Sequence, residues 1–155
     1  MTPAVASGHW SDPLFDLNDG SWYWGTPYVF EGWREENGGL NCSEFVCLRF
    51  EGKLGIDVTP DHPHGYTNAE RIRQSCAEIT EEEAGPGDLV FFERTYDTPG
   101  ASHVGIVSEP GVMLDDHDRS DSGNPDGPGF TNYNPGLSDY WRGHLLGFGR
   151  VRRNE

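Results

Sequence analysis

Three short apolar runs between residues 85 and 115 leave this chain little choice of architecture. They are Leu89-Val90-Phe91-Phe92, His103-Val104-Gly105-Ile106-Val107 and Val112-Met113-Leu114-Asp115. Each is too short for a stable helix and is rich in branched and aromatic types, so each reads as a strand. Gly85-Pro86-Gly87-Asp88 turns the chain into the first run, and Glu109-Pro110-Gly111 separates the second from the third. So short a connection pairs its strands as an antiparallel hairpin. A last strand is expected at Leu145–Val151, after Tyr140-Trp141.

Helical patterns come earlier in the chain. Phe45, Val46, Leu48 and Phe50 recur at helical spacing behind a Gly-rich loop, Glu36 to Leu40, with Asn41 or Ser43 suited to the first positions. This helix is expected to run to about Glu51 and end at Gly52. Thr67-Asn68 looks like an N-cap for a second helix through Ala69, Ile72 and Cys76, with Glu70 in its first turn. Residues 116–136, acidic and rich in Gly and Pro, read as a long loop. Residues 1–24 read as an irregular arm whose tryptophans pack on the domain, and 25–155 as a single domain. Helices first and strands after predict an α+β fold, with N-terminal helices packed on a central antiparallel β-sheet.

Composition narrows the partners. The chain has 155 residues, 26 acidic against 11 basic, and a formal charge of −15. No basic stripe exists to meet phosphates, so nucleic acid is not expected as a partner. No apolar run is long enough for a transmembrane helix, so membrane insertion is not expected either. The first residues lack the basic and apolar regions of a secretory signal. Three cysteines, Cys42, Cys47 and Cys76, are an odd number without framework spacing, so at least one thiol stays unbridged. Cys47 and Cys76 read as buried residues on helix faces.

Cys42 differs from them in position. In the first turn of a helix it meets the positive end of the macrodipole, which favours the nucleophilic thiolate. The plainer reading is a small buried apolar residue. His103 tips the balance. It shares a strand face with Gly105 and Val107, and Asp115 lies on the neighbouring strand twelve positions later. A symmetric hairpin sets His103 and Asp115 nearly opposite each other, where Cβ atoms lie about 4.5–5.5 Å apart. A carboxylate beside an imidazole orients the ring and stabilises its charged form. A thiol, a base and an orienting acid together make the arrangement of a thiol protease.

Residues 25–151 resemble the NlpC family, papain-like cysteine endopeptidases that cut the stem peptides of bacterial peptidoglycan. Gly25-Thr26-Pro27-Tyr28-Val29-Phe30-Glu31-Gly32 is similar to the family's Gly-x-Pro-Tyr-x-x-Gly-Gly segment, and Asn41-Cys42-Ser43 to its Asp-Cys-Ser. Pro86-Gly87-Asp88-Leu89-Val90-Phe91-Phe92 matches almost letter for letter. Ser102-His103-Val104-Gly105-Ile106-Val107 resembles the strand of the catalytic histidine, and Tyr140-Trp141 with Gly149-Arg150-Val151 the closing segment. The resemblance implies a papain-like fold, with Cys42 as nucleophile, His103 as general base and Asp115 as the third residue, and Asp116 and His117 as competitors should the strand bulge. Tyr28, Asn41, Ser43 and Ser102 are the substrate-binding residues it implies, and the bond is the γ-D-Glu to diamino-acid link. Where relatives carry Asp before the cysteine, this chain has Asn41, which loses the charge that would hold a free amine. Glu44, where a small residue is usual, is expected to point to solvent.

No cofactor and no metal are expected. His62-Pro63-His64 lacks companions at zinc spacing, and the loop Asp118-x-Ser120-x-Ser122-Gly123 reaches Gly129 where calcium binding needs a Glu. A monomer acting on a peptidoglycan peptide in the bacterial cell wall is the expectation. A phage lysin released through a membrane lesion, a tail-associated hydrolase or an injected effector would each fit. The alternatives are an amidase of the CHAP type, cutting N-acetylmuramoyl-L-alanine, and a binding module that kept the fold without the activity.

Overall fold

The apolar runs pair into one six-stranded antiparallel sheet. A computed structural model describes residues 12–17, 19–21, 41–59, 68–96, 98–117, 127–135 and 139–152. Its strands are β1 (Cys76–Ile79), β2 (Leu89–Glu93), β3 (Ala101–Glu109), β4 (Val112–His117), β5 (Gly127–Asn132) and β6 (Leu145–Val151). They lie in the order β1-β6-β2-β3-β4-β5. The helices are α1 (Cys42–Leu54), α2 (Ala69–Ser75) and α3 (Asp139–Gly143), and a 3-10 turn spans Asp12–Phe15. The α+β class expected from the sequence is the one observed. Among the described residues no helix is long and apolar enough to cross a membrane.

Strand alternation sorts the core into two layers. Leu89, Phe91, Val104, Ile106 and Leu114 face one side and meet Phe45, Val46 and Phe50 of α1. Val90, Phe92, Val107 and Met113 face the other and meet Tyr133, Trp141 and Phe148. Covering both faces explains why β2 reads as an unbroken apolar run rather than an alternating one.

Four boundaries differ from the sequence reading, each for a physical reason. Helix α1 runs through Gly52 and stops at Gly55, which takes a left-handed φ of 68°. There the Gly55 N–H donates to the Glu51 carbonyl and the Ile56 N–H to that of Phe50, closing the helix end. Cys76 is not on a helix face. It opens β1, opposite Val151, because α2 ends after seven residues and the chain turns to extend the sheet. The stretch read as a long loop contains β5, paired with β4 from Val112↔Asn132 to His117↔Gly127. The hairpin is also not symmetric. Ile106 faces Leu114 and Val107 faces Met113, but the register shifts before Glu109↔Val112, leaving Ser108 as an extra residue. Carried outward, this register sets Asp115 level with Gly105. Asp115 and His103 are therefore diagonal neighbours on one face, not opposed residues.

Arg49 ties the N-terminal turn to α1. Its side chain is fully buried and donates to the carbonyls of Pro13 and Leu14 at 2.8 Å each, and to Asp19 Oδ2 at 2.6 Å. A buried cation needs this number of acceptors to offset its lost hydration. Arg49→Ala would leave those carbonyls and Asp19 underserved, though Lys53 still reaches Asp19 at 3.2 Å. The expected cost is about 3–5 kcal/mol in urea-induced unfolding. A loss under about 1 kcal/mol would mean that the anchor is dispensable.

Candidate active site

A reciprocal cap fixes the start of α1. The Asn41 side-chain oxygen accepts the Glu44 backbone N–H, and Glu44 Oε1 accepts the Asn41 N–H, both at 3.1 Å. Cys42 is thereby held in the first helical position, 6% exposed. The cap also engages its neighbours. Ser43 Oγ donates to Asn41 Oδ1 at 3.0 Å and is itself buried. Glu44 does not point to solvent as the sequence suggested, because the cap draws it inward to 8% exposure.

His103 arrives from β3, 5% exposed, with its ring against Trp141 at 4.7 Å and Phe92 at 5.9 Å between centroids. Its Nε2 is 2.7 Å from Asp115 Oδ2, and Thr131 Oγ1 donates to the other Asp115 oxygen at 2.6 Å. The Asp115 carboxylate is wholly buried and served on both oxygens. With Nε2 engaged, Nδ1 is the ring nitrogen left to face Cys42, whose thiol is within hydrogen-bonding reach of the imidazole. Burial works against a charged ring, but the negative charge of the Cys42 thiolate and the hydrogen bond that the ring donates to Asp115 outweigh it. His103 is held above the usual histidine range.

The other two thiols are placed differently. Burial pushes Cys47 up to about 12, helped by Asp57, Glu44 and Glu51, and burial pushes Cys76 up to about 12. Both stay protonated and unreactive at neutral pH.

The remaining candidates are distributed unevenly. Ser102 faces inward: its hydroxyl accepts the Thr95 N–H at 2.9 Å and meets Thr95 Oγ1 at 2.5 Å, so it holds the β2–β3 loop. Asp116 is buried beside Asp115 but makes no hydrogen bond to His103. Tyr28 lies outside the described residues, as do His62, His64 and the acidic loop Asp118–Asp126. Among the described residues, no three His, Cys, Asp or Glu side chains come together as a metal site.

Two residues went unnoticed in the sequence. Thr131 orients Asp115, but it lies in a Gly- and Pro-rich stretch that carried no strand signal. Tyr96, on the β2–β3 loop, is 41% exposed, and its phenol is shifted up by partial burial and by the charge of Cys42. It stands at the rim of the site.

That loop is clamped from the other end by Glu70 of α2. Glu70 Oε1 accepts the Ala101 N–H at 2.7 Å, and its carboxylate also takes both Arg73 and Gln74. The Arg73 hydrogen bond leads the causes that lower Glu70 to about 2. A depressed carboxylate stabilises the fold above its unfolded value of about 4.3, and the contribution is lost as pH falls through about 2. Glu70→Gln should therefore lower the melting temperature at pH 7 and flatten its decline between about pH 4.5 and 2. An unchanged acid slope in thermal melts would contradict this.

The NlpC/P60 family model matches residues 25–150. The chain is 37% identical over 132 residues to the bifunctional muramidase/DL-endopeptidase CwlT of Bacillus subtilis, and 29% identical over 128 to that organism's gamma-DL-glutamyl hydrolase. These matches take in 84% and 83% of this chain but only 34% and 27% of the relatives, so the chain spans about a third of one and about a quarter of the other. An NLP/P60 lipoprotein-like structure from Staphylococcus aureus superposes with a TM-score of 0.62 at 31% identity, over 83% of this chain and 37% of that one. An NlpC/P60 structure from Bacillus cereus, 21% identical, shares the fold with a TM-score of 0.66 over 96% of this chain and 41% of that one. A family match over most of the chain, with a helix-borne cysteine and a strand-borne histidine in contact, carries one conclusion: the chain belongs to the NlpC/P60 family.

Proposed function

We propose that this chain is a cysteine endopeptidase that hydrolyses peptidoglycan stem peptides at the γ-D-Glu to diamino-acid bond. The observation that carries the reading is the buried chain of contacts from Cys42 through His103 to Asp115, anchored by Thr131. The bond is suggested by the relatives, one named a DL-endopeptidase and one a gamma-DL-glutamyl hydrolase.

In this mechanism His103 takes the Cys42 proton through Nδ1, and Asp115 at Nε2 stabilises the imidazolium that results. The thiolate attacks the amide carbonyl. The Cys42 backbone N–H, a donor that a helix start leaves without an intrahelical partner, holds the developing oxyanion. His103 then returns the proton to the leaving amine. Water, activated by the same ring, hydrolyses the thioester and restores the thiol. Asn41 and Ser43 shape the approach through the cap rather than by charge, and Tyr96 flanks the substrate path.

The test is digestion of purified muropeptides, with the new termini identified by mass spectrometry. A new amine on the diamino acid and a new carboxyl on D-Glu are expected. Release of an intact peptide from the sugar would indicate the amidase instead, and no cleavage would favour a binding module.

A further inference from the structure

Asp116 follows Asp115 on β4 and is equally hidden from solvent, yet its circumstances are opposite. Asp115 is served on both oxygens by His103 and Thr131. Neither Asp116 oxygen has a hydrogen-bond partner among the described residues, and its exposure is 0%. Alternation along the strand turns it to the layer that α1 covers. An ionised carboxylate there would give up its hydration for nothing in return.

Its neighbours make ionisation harder still. After burial itself, the groups that oppose a charge on Asp116 are Asp115 of its own strand and Cys42 and Glu44 of α1, while His103 of β3 favours one. Together they push Asp116 up to about 9. Cys42 weighs more in this balance than His103 does. A charge formed on Asp116 therefore bears more on the sulfur than on the ring.

We infer that Asp116 is a neutral carboxylic acid holding a proton against the Cys42–His103 pair, and that losing this proton in alkali sets a second buried negative charge beside the sulfur and disarms it. The Asp116 O–H bond breaks, hydroxide takes the proton to form water, and the electron pair stays on the carboxylate. Two adjacent aspartates thus divide the work: one stays ionised to orient the base, and the other stays neutral to spare the nucleophile. The disarming rests on the thiol chemistry proposed above; the retained proton does not.

Stability gives the first test. Unfolded, Asp116 ionises near pH 3.9, so its folded value is raised. The group's contribution is then full below about pH 4, declines as pH rises to about 9, and is level beyond. Asp116→Asn keeps the shape without the titration. Its melting temperature should match that of the wild type near pH 4 and exceed it increasingly toward pH 9. A constant gap would overturn the neutral acid.

Reactivity at Cys42 gives the second. Anionic iodoacetate and neutral iodoacetamide, compared at the same sulfur by mass spectrometry, report the local potential. Their rate ratio should be alike in wild type and Asp116→Asn near pH 6, and several-fold lower in the wild type near pH 10. Equal ratios throughout would overturn the disarming. Should Asp116→Asn not fold, infrared spectra of the wild-type chain decide. A protonated-carboxyl stretch at pH 7 that vanishes in strong alkali is expected, and its absence refutes the inference. None of these readouts uses a muropeptide, so failure here is distinct from failure of the peptidase reading.

Discussion

Replacing Cys42 with alanine should abolish muropeptide turnover and leave the fold standing. The substitution removes one sulfur from a site only 6% exposed, at the first position of a helix whose cap is made by Asn41 and Glu44 rather than by the cysteine. Alanine suits that position, so the expected loss in unfolding free energy is about 1 kcal/mol or less. The chemistry has no substitute. Cys47 and Cys76 are held protonated, and His103 alone has no nucleophile to activate. A fall in kcat/KM on the order of 10³-fold or more is expected by steady-state assay. Appreciable cleavage by a folded Cys42→Ala variant would remove Cys42 from the mechanism.

Asp115→Ala should harm both stability and activity. Asp115 is the acceptor for the His103 ring and the Thr131 hydroxyl at a point closed to solvent. Deleting it takes from a buried imidazolium its hydrogen-bond acceptor and one of its two counter-charges, the other being Cys42, a change that costs about 3 kcal/mol. Because His103 is raised in the folded state, its contribution to stability is full below its unfolded value of about 6.5 and is lost as pH climbs through the folded value. The variant should therefore lose most below neutrality and least in alkali. Turnover should drop on the order of 10²- to 10⁴-fold, since the ring loses both its tautomer and its orientation. Asp115→Asn, which keeps the shape, should recover part of the stability but little of the rate. Wild-type kcat/KM in either variant would mean that Asp115 only fills space.

Much of this arrangement was legible in the residues. The runs at Leu89, His103 and Val112 were strands because short branched and aromatic segments between tight turns have few other options. The parity of His103 and Asp115 gave their common face even though the register was wrong, because Asp115 lies level with Gly105 rather than His103, a slide of two residues that moves neither side chain to the other face. The helix start at Cys42 followed from Asn41, and the same cap explains why Glu44 is buried although it is charged.

What escaped the sequence depended on partners distant in the chain. Strand β5 is Gly-Pro-Gly-Phe-Thr-Asn, which has no strand pattern of its own and exists because β4 offers it an edge. Cys76 begins a strand because β6, some seventy residues on, lies beside it. Gly52 and Gly55 are equally plausible helix ends by composition, and the closing hydrogen bonds of Gly55 and Ile56 decide between them. The contrast between Asp115 and Asp116 is invisible in one dimension. Adjacent identical residues differ only in what the fold sets against them.

The joint claim about Cys42 and His103 can be tested in a single experiment on the intact chain. Iodoacetamide labelling of each cysteine is followed over time near pH 6, where an ordinary thiol is protonated. Cys42 should be alkylated far faster than Cys47 or Cys76 in the wild type, and should fall to their rate in a folded His103→Ala variant. If Cys42 reacts no faster than the other two, or keeps its rate once the imidazole is gone, the pair does not work as one and the account fails.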